Sequence, residues 1–281
     1  LDLRVALSAP LMFSHGFASD VVGANNDRMV TLLKLVSSDI NMFPLYHAIS
    51  SYYMMRAHYP IALDLLQEAE HLAQQGEEEL PFRLIDWGVG FTNLWLGNLK
   101  EALTGLDKMV EFFDPILHVK LHKIFGIDPG VACHLWSSWA LWLLGFPEKA
   151  LTRGQQAIDL SNLLGDPANQ IFALDIVGML HLLMRRKDEV SELLKNYNYE
   201  LEKNPAPLYI ADYTFLEGFF HVHNGTLEEG IDQMTSGIGG YKAIGTRSQL
   251  SIRMTALAET YLRNKQWDQA AQVLKQVEDF I

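Results

Sequence analysis

Cysteine is almost absent. Cys133 stands alone in 281 residues, so no internal disulfide can form, and the chain fits a reducing compartment. Basic residues are in the minority as well. With 22 basic against 34 acidic residues, a formal charge of −12 and a pI near 5.2, the surface is a poor match for a polyanion, so no nucleic-acid partner is expected. No run of 18 apolar residues occurs, and no membrane span is expected. The apolar stretch Val5–Phe13, interrupted by Ser8 and Pro10, lacks the basic start of a signal peptide. The expected location is therefore cytoplasmic. Leu1 is not a methionine, and the chain is read as a fragment or a processed product.

Catalytic signatures are also lacking. There is no GxxxxGK(S/T), GxSxG, HExxH or CxxC. His118 and His122 are four apart and on a helix would face the same way, with Asp114 as a third metal ligand. No spacing fixes that third ligand, so the stretch reads as a structural linker. The run Glu77, Glu78 and Glu79 reads as a solvated loop and helix start. His221 and His223 are two apart and point to different faces, while Arg185-Arg186-Lys187 and Asn224-Gly225-Thr226 read as turns. The glycines between Gly237 and Gly245 follow no predicted strand, so they make no phosphate cradle. No cofactor, metal or enzymatic activity is expected.

What the sequence does contain is a rhythm. Hydrophobic residues make up 49% of the chain, enough for a continuous core. From Pro129 to Leu144, Val131, Leu135, Trp139, Trp142 and Leu143 recur at helical spacing, Gly145-Phe146-Pro147 breaks the pattern, and a second helix runs to Leu164. Small residues mark the same place in each hairpin: Ala62, Ala102, Ala150, Val190, Gly230 and Ala270, 40 residues apart except for one step of 48. Twelve residues before each stand Ser50, Gly90, Ser138, Gly178, Gly218 and Ala258. Five before, Gly97, Gly145 and Gly225 mark the turn, and Ala57, Arg185 and Lys265 fill it elsewhere. A sustained period of this length predicts an all-α, right-handed solenoid of helical hairpins. The small columns are where paired helices cross most closely.

These spacings resemble the tetratricopeptide repeat, in degenerate and elongated form, because the family's tryptophan position holds Tyr46, Asp86, His134, Leu174, Thr214 and Met254. The predicted layout is a single repeat domain over 1–281: a degenerate capping hairpin in 1–40, two hairpins in 41–113, an inserted linker in 114–127 and four hairpins in 128–281. The first helix of each hairpin lines the concave face in such stacks. That face is read as Leu84, Trp87, Phe91, Leu94 and Trp95, then Ala132, Leu135, Trp139, Trp142 and Leu143, then Phe215 and Phe219 beside Asp212 and His223. So aromatic a surface implies a partner groove, unless the long helices coil tightly enough to bury the rings against one another.

A second resemblance is more specific. The run FGIDPGVACHLWSSWALWLLGFPEKAL, Phe125–Leu151, resembles the C-terminal helical-repeat module of bacterial signalling ATPases. These join a class III nucleotidyl cyclase or kinase-like domain to an AAA-type ATPase and then to tetratricopeptide-like repeats. In that family a linker bearing histidine leads into FGxDPGV, an aromatic-rich helix, LG(Y/F)P and a charged residue before AL. His118, Phe125, Gly126, Asp128, Pro129, Gly130, Val131, Trp139, Trp142, Leu144, Gly145, Pro147, Ala150 and Leu151 match. The resemblance implies a regulatory or interaction module whose partner is a protein or peptide, or an attached ATPase or cyclase domain. It brings no catalytic residues with it. Two roles follow: capture of a peptide, helix or neighbouring domain, with Trp87, Phe91, Trp95, Leu135, Trp139, Trp142, Phe215 and Phe219 in the groove, or sensing of a small molecule there.

Overall fold

The computed structural model describes residues 1–33, 43–74, 79–112, 118, 121 and 125–278. Glu77, Glu78, Asp114 and His122 lie outside them. Fourteen helices and no strands are found among the described residues. α1 (Asp2–His15) and α2 (Asp20–Leu33) precede six hairpins. These are α3 (Phe43–Met55) with α4 (Tyr59–Ala73), α5 (Leu80–Trp95) with α6 (Leu99–Glu111), α7 (Pro129–Leu143) with α8 (Pro147–Leu164), α9 (Pro167–Leu183) with α10 (Lys187–Lys203), α11 (Pro207–Asn224) with α12 (Leu227–Ala243), and α13 (Leu250–Arg263) with α14 (Trp267–Glu278). The chain is a solenoid of tetratricopeptide-like hairpins. Second helices begin at 59, 99, 147, 187, 227 and 267, so the step is 40 residues with one of 48.

The small columns act as the spacing predicts. Ala62, Ala102, Ala150, Val190 and Ala270 are fully buried, as are Ser50 and Ser138. A Cβ on Gly230 would stand 2.6 Å from the Gly218 carbonyl oxygen, and one on Gly218 would stand 2.7 Å from the Gly230 carbonyl oxygen. Only glycine at both places lets α11 and α12 touch through their backbones. The turn column is uniform in conformation although not in residue type. Gly97, Gly145 and Gly225 have φ of 82°, 87° and 95°, and Ala57, Arg185 and Lys265 adopt φ of 60°, 65° and 61°, a left-handed geometry that costs a residue with a Cβ.

Two local signals explain where the inner helices start. Asp128 accepts the Val131 N–H at 3.0 Å and Asp166 accepts the Asn169 N–H at 3.1 Å, each capping a helix whose first residue is proline. At the other end of the chain Ser8 and Pro10 do not break the apolar stretch; α1 runs through both. Ser8 returns its hydroxyl to the Arg4 carbonyl within the helix, and its burial against Asn25 and Met29 of α2 holds the turn that Pro10 weakens.

The matched linker motif has a mechanical content. His118 is buried and its Nδ1 lies 2.7 and 2.8 Å from the two Asp128 oxygens. The Asp128 N–H donates to Asn169 Oδ1 at 2.8 Å, so linker, α7 and α9 are joined. Gly130 is glycine because a Cβ would meet the His118 ring at 2.5 Å, and Gly126, at φ 76°, is where the Phe13 ring of α1 lies against the linker. α1 packs on α2, α3 and α11. The loop after α12 returns to the first hairpin, where the Met55 carbonyl accepts the N–H groups of Arg247 and Ser248 at 2.8 and 3.0 Å. The loop that leads into the last hairpin therefore meets the first hairpin, and α1 lies across the inner face. Among the described residues no helix is long and apolar enough to cross a membrane.

Candidate functional site

Between α1 and the inner helices lies a cavity of about 830 Å³, within the 300–1,000 Å³ typical of small-ligand sites. α1 contributes Val5, Ala9 and Met12, and α3 contributes Leu45, Ala48 and Met54. The aromatic wall is Trp87 and Phe91 of α5, Trp136 of α7 and Phe172 of α9, with Phe125 of the linker. Each inner helix turns the same side inward. Trp87 and Phe91 stand 15 and 11 places before Ala102, Ala132 and Trp136 stand 18 and 14 before Ala150, and Phe172 and Asp175 stand 18 and 15 before Val190.

Of the eight residues assigned to the groove from sequence, the structure brings Trp87 and Phe91 to this cavity. The other six lie beside it. Trp139 is fully buried, and its indole N–H donates to the Ile176 carbonyl of α9 at 3.2 Å. Trp95 stacks edge-on to Phe91 and Trp136, with ring centroids 6.2 and 6.0 Å away, and Trp142 is edge-on to Trp139 at 6.3 Å. Leu135, Phe215 and Phe219 are fully buried. These rings fill the seams between neighbouring helices, which is the tight coiling that long helices allow. Trp136, Phe172 and Tyr209 were not singled out by sequence. The clue for Trp136 was its place one turn beyond Ala132, which puts both on one side of α7.

The far end of the cavity is polar. Asp175 of α9 and Asp212 of α11 border it together with Tyr209 and Gln249. Behind them Arg253, fully buried, donates through Nη2 to Asp175 Oδ2 and Asp212 Oδ1, each at 2.8 Å, and through Nη1 to Gln249 Oε1 at 3.0 Å. The Tyr241 hydroxyl donates to Asp212, and the guanidinium carbon stands 4.8 Å from the centre of the Tyr241 ring. One cation serves two carboxylates. Burial raises both, and the neighbouring Asp175 helps carry Asp212 to about 8. His47, at the opposite wall between the Trp87 and Phe125 rings at 5.1 and 4.3 Å, is held down at about 4 by burial and is neutral near pH 7. Among the described residues no three His, Cys, Asp or Glu side chains are grouped to hold a metal.

Several solved structures share this fold. The Rap protein complexed with competence and sporulation factor superposes with a TM-score of 0.68 at 12% identity, covering 92% of this chain and 79% of that one. NprR in complex with its cognate peptide NprX gives 0.60 at 11%, covering 99% and 76%. Aspartyl phosphate phosphatase F from Bacillus subtilis gives 0.59 at 11%, covering 85% and 70%. At such identities the likeness is one of fold. No protein-family model matches the sequence, and no curated protein matches it.

Proposed function

We propose that the chain is a non-enzymatic regulatory module that holds a short peptide or a comparably sized segment in the cavity on its inner face, within a larger signalling ATPase. The observation that carries this is the aromatic wall of Trp87, Phe91, Trp136 and Phe172 in the cavity that α1 helps to line. Binding there would change how α1 seats against α11 and the linker, which is a route from occupancy to shape. NprR, which shares the fold, is a peptide complex. The motif Phe125–Leu151, with its resemblance to ATPase-linked repeat modules, supports the wider context. A small-molecule sensor is the second reading, favoured by the 830 Å³ volume, which suits a compact ligand better than a long helix.

Thermal unfolding of the purified chain against a library of short peptides and metabolites tests both. A binder raises the midpoint by mass action, and Phe91→Glu, which places a charge in the aromatic wall, abolishes the shift. If no compound moves the midpoint, the proposal fails.

A further inference from the structure

The acidic end of the cavity has the chemistry to select its ligand. Asp2, Asp175 and Asp212 line the cavity, and among the described lining residues none is lysine or arginine. Asp175 is 2% exposed and uses one oxygen only: Oδ2 takes Arg253, while Oδ1 accepts no hydrogen bond from the protein. Tyr209, also 2% exposed, borders the same end, and its phenol oxygen has no partner. These are two separate buried acceptors on two helices. The single positive charge of Arg253 is already divided between Asp175 and Asp212. A buried carboxylate oxygen gains more from a charged donor than from a neutral one, because the low-dielectric surroundings strengthen the pairing. Against an anion the same end is repulsive.

We propose that the cavity takes a hydrophobic ligand bearing one protonated amine or guanidinium, its apolar body against Trp87, Phe91, Trp136 and Phe172 and its cation on Asp175 Oδ1 beside the Tyr209 hydroxyl. This rests on the reading of the cavity as the binding site and adds the charge of what it binds. The cation gives Asp175 Oδ1 the charged partner that Arg253, engaged with Oδ2, leaves it without. A neutral ligand of the same shape keeps the apolar contacts and forgoes that pairing.

Calorimetric titration of the full chain with phenylbutylamine, phenylbutanol and phenylbutyrate separates the two claims. The amine should bind at least about tenfold more tightly than the alcohol, as expected for a charged hydrogen bond, and the carboxylate more weakly than either. Asp175→Asn, which keeps an oxygen for Arg253, should bring amine and alcohol to equal affinity. Equal binding of amine and alcohol to the wild-type chain overturns the cation assignment and leaves the cavity as a binding site. An amine preference that survives Asp175→Asn also overturns it. If none of the three binds, the cavity reading falls and the cation assignment with it. The comparison of probes on the wild-type chain stands whether or not the variant folds.

Discussion

Arg253 on α13 lies 2.8 Å from Asp175 on α9 and 2.8 Å from Asp212 on α11, so one buried cation ties three inner helices together. Removing it leaves the Asp175–Asp212 pair without its cation in a low-dielectric interior. Arg253→Met should therefore cost about 3–5 kcal/mol in urea unfolding. Adding Asp175→Asn and Asp212→Asn to that variant should recover a large part of the loss, since the buried charge is then gone. A single-variant cost below about 1 kcal/mol would show that the triad is solvated.

The same triad sets a pH dependence. Asp212, raised to about 8 by burial and Asp175, holds a proton that the unfolded chain releases near pH 4. The folded state thus binds the extra proton between those values, and stability falls as pH rises through the window. His47 and His134, lowered to about 4 by burial, act the other way. The unfolded chain takes up their protons below about pH 6.5, so stability falls as pH drops from there. Above about pH 7.5 these histidines, and His181 and His223, which burial also lowers, are nearly neutral in both states and the Asp212 slope stands apart from them. Unfolding free energy should decline by about 0.5–1 kcal/mol from about pH 7.5 to about 8.5, and Asp212→Asn should flatten it. A wild-type chain that gains stability there contradicts the assignment.

The two kinds of glycine in α12 make a paired test of hairpin packing. At Gly230 a Cβ would meet the Gly218 carbonyl at 2.6 Å and the Val222 amide nitrogen at 2.9 Å, backbone atoms that cannot turn aside. Gly230→Ala should overpack the crossing and cost about 2–3 kcal/mol. Gly239 faces open space within 4 Å, so Gly239→Ala should stabilise by about 0.5–1 kcal/mol through helix propensity alone. Thermal midpoints moving in the same direction for both variants would mean that α11 and α12 do not cross at Gly230.

These tests follow the line between what was legible in the sequence and what was not. The small columns and the turn column were readable because they obey local rules: a close helix crossing needs Ala62 or Gly230, and a tight turn needs a left-handed residue. Even Ala57, Arg185 and Lys265, which carry a Cβ, take positive φ at the place the period assigns. Helix phase was not readable closely enough to tell Trp136, which lines the cavity, from Trp139, three residues on along the neighbouring stripe of α7, which is buried against α9. The course of α1 across the inner face and the buried Arg253 triad depend on pairings far apart in the chain, such as Met55 with Arg247 and Asp175 with Arg253. No periodic pattern announces these.

The seating of α1 on the linker can be measured by one double-mutant cycle. Gly126 has φ 76°, and a Cβ there would run into the Phe13 ring. Gly126→Ala therefore carries two costs, the left-handed backbone of roughly 1 kcal/mol and the collision with Phe13. Phe13→Ala removes the ring and so removes the second cost. If α1 lies where the structure places it, Gly126→Ala should destabilise by about 2–3 kcal/mol in the wild-type chain but by only about 1 kcal/mol in the Phe13→Ala background. The difference is a coupling energy, which contacting residues show and distant ones do not. Strict additivity of the two substitutions would mean that α1 does not rest on the linker, and the cavity beneath it would lose one wall.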